Sequence, residues 1–585
     1  MSLLEIRSLD LTIGSTPILT DVEMSIAPGE VMAMVGESGS GKSLTALTVM
    51  RLLPAAARVS GSVRFDGIDI LAASEDQMNA LRGDDIGMVF QEPMTALNPV
   101  KTIGEQVAEG IRWHTGANRR DAEDRSRKML DRVGLPEAKF PLSRYPHELS
   151  GGQRQRVVIA IACALKPKLL IADEPTTALD VVLQKQILEL LRGLVDENRM
   201  GLLLISHDLA VVAEMADRIT ILRGGAVMEQ GDTVRTLSEQ QHPYTRQLAQ
   251  ASMHVPIRRS RLAPSPGSPG AASPPSSPPS HRWGEEPSAA MSASSSSLGE
   301  KVAAKRPDEG ASPPLLEVSI VSRLYPGRRT SLFSRSAPIR AVHGVSLSLQ
   351  PGQSTALVGR SGCGKSTLAR MILALDRPTS GAIRFMGETL TGREASALRG
   401  ARRNMQVVFQ DPYGSFNPRH KVEWLVAEPL HLLDTKPDAA ERRGLVIQAL
   451  HEVGLKPGDI DKYPHEFSGG QRQRLSIARA LITRPKLIVA DEPVSALDVS
   501  IRAQILDLFA ELNDRLGIAY LFITHDLTVA RAITDDVIVM DEGRIVETGR
   551  TADVLDHPRS EAAKALVAAA PDLHRAMARR LQEQG

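Results

Sequence analysis

The sequence predicts an α/β fold built twice in one chain, and three repeated features predict it. A glycine-rich G-x-x-x-x-G-K-S stretch follows the apolar run Val31–Val35 and returns after residues 355–358. Leu169-Leu-Ile-Ala-Asp-Glu-Pro returns as Leu487-Ile-Val-Ala-Asp-Glu-Pro, and the apolar runs Gly201–Ser206 and 518–524 are each followed by His-Asp-Leu. Short buried strands alternating with helix-length segments, such as Val181–Asn198 and 499–515, give a mostly parallel sheet with helices on its faces. At 585 residues the chain is too long for one core, and the repeat divides it into two domains of ordinary size.

The first element is a strand that turns into a helix N-terminus through a loop whose backbone N–H groups close around phosphate oxygens. Gly36, Glu37, Ser38, Gly39, Ser40 and Gly41 form that P-loop in the first half; Gly359, Arg360, Ser361, Gly362, Cys363 and Gly364 form it in the second. Lys42 and Lys365 are expected to reach the β- and γ-phosphates of ATP, and Ser43 and Ser366 to place a hydroxyl on Mg²⁺. Two glycines, a lysine and a Ser/Thr at these offsets arise by chance at roughly one position in 10⁴ to 10⁵. An ordinary glycine-rich turn is therefore a poor account of two copies with matching partners.

The second element ends in two carboxylates. Asp173 and Asp491 suit Mg²⁺, a hard cation that selects oxygen ligands. Glu174 and Glu492, one residue later, are placed to polarise the attacking water. An isolated Asp-Glu pair usually marks a solvated loop, but an apolar strand ahead of it and a P-loop upstream reverse that reading. His207 and His525 close the set, each 33 positions beyond its glutamate. That matched placement reads as a γ-phosphate sensor rather than a lone structural histidine.

Leu149-Ser-Gly-Gly-Gln-Arg-Gln-Arg and Phe467-Ser-Gly-Gly-Gln-Arg-Gln-Arg resemble the signature motif of ABC-type ATPases. Read as residues alone, Ser-Gly-Gly opens an amphipathic helix whose free N–H groups suit either a phosphate or an ordinary N-cap. The resemblance implies two tandem P-loop NTPase domains of ABC type, each with a helical subdomain, joined by a disordered linker. It further implies that each signature completes the other half's nucleotide site. Ser468, Gly469 and Gly470 would close over the first P-loop with Gln91, Asp173, Glu174 and His207. Ser150, Gly151 and Gly152 would close over the second with Gln410, Asp491, Glu492 and His525, making an intramolecular ATPase dimer. Gln91 and Gln410, after apolar runs at 86–90 and 407–409, resemble Q-loop glutamines, which by the same resemblance join the Mg²⁺ ligands. Ala178-Leu-Asp180 and Ala496-Leu-Asp498 resemble D-loops. Segments 102–133 and 422–453, rich in helix formers, are expected to form the helical subdomains that meet a membrane partner.

His242-Pro-Tyr-Thr-Arg246 resembles the tail of ATPases from oligopeptide, dipeptide, nickel and glutathione importers, and the stretches following Gln91 and Gln410 resemble the same subfamily. The fused arrangement is most similar to its two-in-one glutathione and peptide importer ATPases. The implied function is the ATP-hydrolysing subunit of an importer for peptides or a related small solute, glutathione or a nickel chelate included. Its implied place is the cytoplasmic face of the bacterial inner membrane, with two membrane permease subunits and a periplasmic solute-binding protein as partners. An exporter ATPase fits the motifs but not the tail. A soluble tandem ATPase acting on the ribosome or on damaged DNA would bring a charged helical linker or zinc-binding cysteines, and neither is present. Three departures stand out. Tyr325 fits the family's adenine-stacking aromatic in the second half, whereas the matching stretch at 9–14 offers Ile13; the second tail, His557-Pro-Arg559, matches only partly; and no cysteine follows the first tail to hold the iron–sulfur cluster of some relatives.

Bulk properties agree. With 70 basic and 69 acidic residues the net charge is +1, which gives no sign of a nucleic-acid footprint. The two cysteines, Cys163 and Cys363, lack metal spacing and read as reduced thiols; Cys363, inside a P-loop, is expected to make site two sensitive to thiol reagents. No run reaches 18 apolar residues, and Met1-Ser-Leu-Leu-Glu-Ile-Arg resembles a first strand rather than a signal peptide, so the membrane pathway is expected from other subunits. Between 252 and 313 the composition shifts to Pro, Ser, Ala and Gly. Such a stretch cannot bury enough apolar surface to offset its ordering entropy, which predicts a tether between domains at 1–251 and 314–585.

Overall fold

The computed structural model describes residues 2–91, 93–177, 179–256, 313–327, 337–411, 414–495 and 497–584. In the first half Ile86–Val89, Leu169–Asp173, Gly201–Ser206, Val31–Val35 and Arg218–Arg223 pair in parallel, and Ala226–Asp232 adds an antiparallel edge. The second half repeats this order with Met405–Val408, Leu487–Asp491, Ala519–Ile523, Ser354–Gly359, Asp536–Asp541 and Arg544–Arg550. The inner strands are buried along nearly their whole length, as parallel strands covered on both faces must be. Register then brings the motifs together: Val35 pairs with Ser206, and Asp173 with Ile205. P-loop, carboxylate pair and histidine thus emerge from neighbouring strands at the same end of the sheet, where ligands bind in folds of this kind.

Each half also carries a four-stranded antiparallel sheet, which the expectation of one mostly parallel sheet left out. In the first half it runs Thr16–Ile26, Leu4–Ile13, Ala57–Phe65, Ile68–Asp69. Register shifts between Ile6 and Leu9, and again between Leu9 and Leu11, interrupt the alternation that would announce such a sheet. This sheet ends one strand at Ile13 and its repeat at Tyr325, so the two residues occupy equivalent places.

The helical subdomains form where expected. Ile103–Thr115 and Arg119–Arg132 are capped by Thr102 and Asn118, whose side chains accept from the backbone of Glu105 and Asp121. In the second half Val422–Ala427 passes into a 3₁₀ turn, Glu428–Leu432, at Pro429, which has no N–H to continue the ladder; Ala439–Glu452 follows. Val181–Asn198 is a helix over the range expected, and its repeat is Val499–Leu516.

The tail helices cross between halves. Pro243–Ser252 lies on Val499–Leu516, and His254 Nε2 stands 2.7 Å from Asp507 Oδ1. Glu561–Ala569 lies on Val181–Asn198, and Leu573–Gln584 on Leu209–Met215. The helix ends at Ser252, where the tether was expected to open, and 257–312 of that expected tether lie outside the described residues. Among the described residues no helix is long and apolar enough to cross a membrane.

Candidate nucleotide sites

The P-loop glycines are required by space and by backbone conformation. A Cβ at Gly36 would stand 2.3 Å from the Leu222 carbonyl oxygen, and one at Gly359 2.2 Å from that of Met540. Gly41 and Gly364, which precede the helices Lys42–Val49 and Lys365–Ile372, have φ of 99° and 108°. Lys42 Nζ folds back to donate to the carbonyls of Gly36 at 2.7 Å and Glu37 at 3.0 Å; Lys365 does the same to Gly359 at 2.7 Å and Arg360 at 3.1 Å. Each ammonium is thus held in the mouth of its loop by two backbone carbonyls, with burial lowering the pKa of Lys42. A polyphosphate is the natural ligand of such a cradle.

Beside the loop, Asp173 is hydrogen-bonded to Ser43, and its Oδ1 is buried with no protein partner. A buried carboxylate oxygen next to a hydroxyl fits a hard divalent cation. Burial pushes the Asp173 carboxyl up, and it pushes Asp491, reinforced by the Glu492 charge, to about 6. A bound cation would reverse that cost.

Glu174 and Glu492 are held from two sides. Glu174 Oε1 lies 3.2 Å from His207 Nδ1, while Oε2 accepts from Gln91 Nε2 at 3.0 Å and Thr177 Oγ1 at 2.9 Å. Glu492 lies 2.9 Å from His525 Nδ1 and accepts from Gln410 Nε2 at 2.7 Å. Burial opposes the ionised form of Glu174, but His207, Thr177 and the Lys42 charge outweigh it and hold the carboxyl at about 2. Burial likewise opposes protonation of His207, yet the glutamate raises its pKa. Both glutamates have left-handed backbone, φ 47° and 46°, imposed as their N–H groups bond the carbonyls of Ile205 and Ile523. Such strain, of order 1 to 3 kcal/mol, is typical of functional positions.

The signature serines cap their helices: Ser150 and Ser468 accept from the backbone of Gln153 and Gln471, whose side chains bond back. Gly152 and Gly470 pack against the next helix, since a Cβ there would stand 1.9 Å from Leu183 Cδ2 or 2.4 Å from Ile501 Cγ2. Gly151 has open space around its would-be Cβ, and at Gly469 the nearest atom is 4.0 Å away. The backbone N–H groups of each P-loop are reached across the halves by the D-loop aspartates, to which the sequence reading gave no role. Asp498 Oδ1 accepts from Ser38 N at 2.8 Å and Asp180 Oδ2 from Ser361 N at 3.0 Å. Ala178 and Ala496 lie outside the described residues.

Three further corrections concern individual residues. Tyr244, quoted only as part of the tail, is buried with its hydroxyl accepting from Glu37 N at 3.3 Å, so the tail touches the P-loop. Its expected echo at His557-Pro-Arg559 is out of register. Glu229 accepts from Gln241 N and His242 N, and Glu547 accepts from Arg559 N and Ser560 N, which sets Ser560 at the place of His242 and Ala562 at that of Tyr244. Cys363 is buried beneath its loop with Sγ 4.0 Å from Lys365 Nζ, and burial pushes its thiol up; burial takes Cys163 to about 12. The expected thiol sensitivity of site two is therefore lost. Iodoacetamide at pH 8 should label neither cysteine in the folded protein and both in guanidinium, as counted by mass spectrometry, because only the thiolate reacts.

Two glycine-rich loops, each with a lysine, a cation-suited aspartate and a glutamate braced by glutamine and histidine, define a tandem P-loop ATP-binding protein. The ABC transporter family model matches residues 19–177 and 342–495. The Peptidoglycan transport ATP-binding protein YejF of Agrobacterium fabrum is 41% identical over 576 residues, covering 97% of this chain and 96% of its own. The Glutathione import ATP-binding protein GsiA of Salmonella paratyphi A is 43% identical over 564 residues, covering 94% and 86%. This chain belongs to the ABC transporter family, as a fused tandem ATP-binding protein.

Proposed function

We propose that this chain is the ATP-hydrolysing subunit of an importer in the bacterial inner membrane, acting from its cytoplasmic face on peptides or a related small solute, glutathione or a nickel chelate included. The doubled site carries the proposal, set in a chain similar over nearly its whole length to proteins named for peptidoglycan transport and glutathione import. Two membrane permease subunits and a periplasmic binding protein would complete the assembly. Val100, Trp113 and Trp424, all exposed on or beside the helical subdomains, support docking of the permeases there.

Hydrolysis needs positioning and charge stabilisation more than covalent help from the protein. Ser43, Gln91 and Asp173 would hold Mg²⁺ at site one, and Ser366, Gln410 and Asp491 at site two, where the cation neutralises charge on the β- and γ-phosphates. Lys42 and Lys365 exchange loop carbonyls for phosphate oxygens. Glu174 and Glu492, kept ionised, orient the attacking water, while His207 and His525 use one ring nitrogen on the glutamate and keep the other for the γ-phosphate. Ser468, Gly469 and Gly470 close site one, and Ser150, Gly151 and Gly152 site two, so that ATP joins the halves as an intramolecular dimer and hydrolysis releases them. Opening and closing would bias the permeases between two access states.

The test is reconstitution with the permeases and binding protein in proteoliposomes. ATP-dependent uptake of a labelled tripeptide or glutathione is expected, abolished by Lys42→Ala with Lys365→Ala. ATP turnover without uptake of any peptide, glutathione or nickel chelate would overturn the importer reading.

Adenine stacking at site two is assigned to Tyr325. Its hydroxyl donates to Asp376 at 2.7 Å and the Arg323 guanidinium lies over the ring at 4.6 Å, which supports a ring held in one orientation. Tyr325→Ala should weaken ATP binding at site two about tenfold, taking 1 to 3 kcal/mol for base–aromatic stacking. Titration in a Lys42→Ala background isolates that site, and a change below twofold would remove Tyr325 from it.

A further inference from the structure

The two P-loops differ most at their second residue, Glu37 in the first and Arg360 in the second. Around Glu37 the structure builds a bracing that site two lacks. Ser500, on the helix Val499–Leu516 of the opposite half, donates from Oγ to Glu37 Oε1 at 2.7 Å. Tyr244 accepts from Glu37 N, and Asp498 accepts from Ser38 N. At site two the D-loop aspartate contact recurs, from Asp180 to Ser361 N. The place of Ser500 is taken there by Val182, that of Tyr244 by Ala562 and that of Glu37 by Arg360. Neither hydrophobic side chain can hydrogen-bond the P-loop, as Ser500 does to the Glu37 carboxylate and Tyr244 to the Glu37 N–H.

Charge and tethering act in the same direction. Site one presents two carboxylates, Glu37 and Asp498, at the turn that must accept a polyanion. Its loop is tied to the opposite half by two hydrogen bonds, from Ser500 and to Asp498, where the described residues give the site-two loop one, to Asp180. Site two presents one carboxylate, Asp180, and a guanidinium. A unit charge within several ångströms of a bound polyphosphate, at the effective dielectric of a half-exposed site, changes affinity by about three- to tenfold.

We propose that Glu37, latched to Ser500, makes site one the weaker nucleotide site, so that the two sites fill in order with site two first. Glu37 sets the affinity through its charge, and Ser500 is a positioning residue that holds the loop. The proposal rests on ATP being the ligand of both P-loops.

The test measures binding of mant-ATP in EDTA to the full chain, with site two disabled by Lys365→Ala or site one by Lys42→Ala. Site two is expected to bind at least about tenfold tighter. Glu37→Gln keeps the acceptor for Ser500 and loses the charge; it should tighten site one about three- to tenfold, and Arg360→Gln should weaken site two by a similar factor. Both effects should shrink in 0.5 M NaCl, which a purely structural effect would not do. Ser500→Ala should speed mant-ATP association at site one, with Ser500→Thr restoring the slower rate. Equal affinities at the two sites, a Glu37→Gln effect under twofold, or a salt-independent effect would overturn the ordering. Failure of mant-ATP to bind either site in the unmutated chain would instead overturn the nucleotide reading itself.

Discussion

In the Glu174→Gln, Glu492→Gln double variant, steady-state ATPase activity falls at least about a hundredfold, the scale for losing a positioned base or water-orienting group, while ATP binding persists. Glutamine fills the same volume and still accepts from Thr177 and, at the second site, faces His525, so the fold of each site is kept. What is lost is the anion that the site holds ionised at about 2 in Glu174 despite burial. The histidine supplies a second readout. Because the glutamate raises the pKa of His207 and of His525 against the effect of their burial, each imidazole should titrate lower in the variant, by NMR of labelled histidine. With ATP retained but not cleaved, the halves should accumulate in the closed state, seen as a persistent nucleotide-bound fraction on gel filtration. Turnover within threefold of the unmutated chain would remove both glutamates from catalysis.

Much of this was legible because it is local. A P-loop announces itself through glycines whose spacing the phosphate dictates, and the buried strands Val31–Val35 and Gly201–Ser206 read as unbroken apolar runs. Val181–Asn198 was legible end to end because Asp180 caps it and its apolar residues recur at helical spacing. The antiparallel sheet was not legible, since its register shifts scramble the alternation on which a strand reading depends. Nor was the register of the second tail: His557-Pro looked like His242-Pro, but the acceptor Glu547 selects Ser560 for that place. Cys363 was misread because position in a P-loop says nothing about which way a side chain turns. The contacts of Glu37 with Tyr244 and Ser500 join residues more than 200 and 460 positions apart, and no local pattern encodes such a pairing.

The packing of the C-terminal helix supports the second large effect. Leu573, Ala576 and Met577 rest against the hydrophobic core of the first half, and the Arg580 guanidinium donates to the carbonyls of Glu214 and Ala216, where Leu209–Met215 ends and cations are favoured. That helix begins two residues after His207. Nearby, Lys185 Nζ donates to Ala568 O at 3.2 Å, and Val181 shares a core cluster with Ala563 and Leu566. None of these contacts involves a P-loop, so they persist without nucleotide. Half-burying a leucine and a methionine, with the arginine bonds added, contributes about 3 kcal/mol. A protease site placed between residues 264 and 297 allows the test: after cleavage without ATP, the two halves should stay associated at micromolar concentration. Removal of residues 571–585, or Leu573→Glu with Met577→Glu, should weaken that association about a hundredfold, read by analytical ultracentrifugation. ATP should recover part of the loss by bridging the halves. If the cleaved chain separates as readily with the helix intact as without it, nucleotide and tether alone hold the halves together, and the C-terminal helix has no part in it.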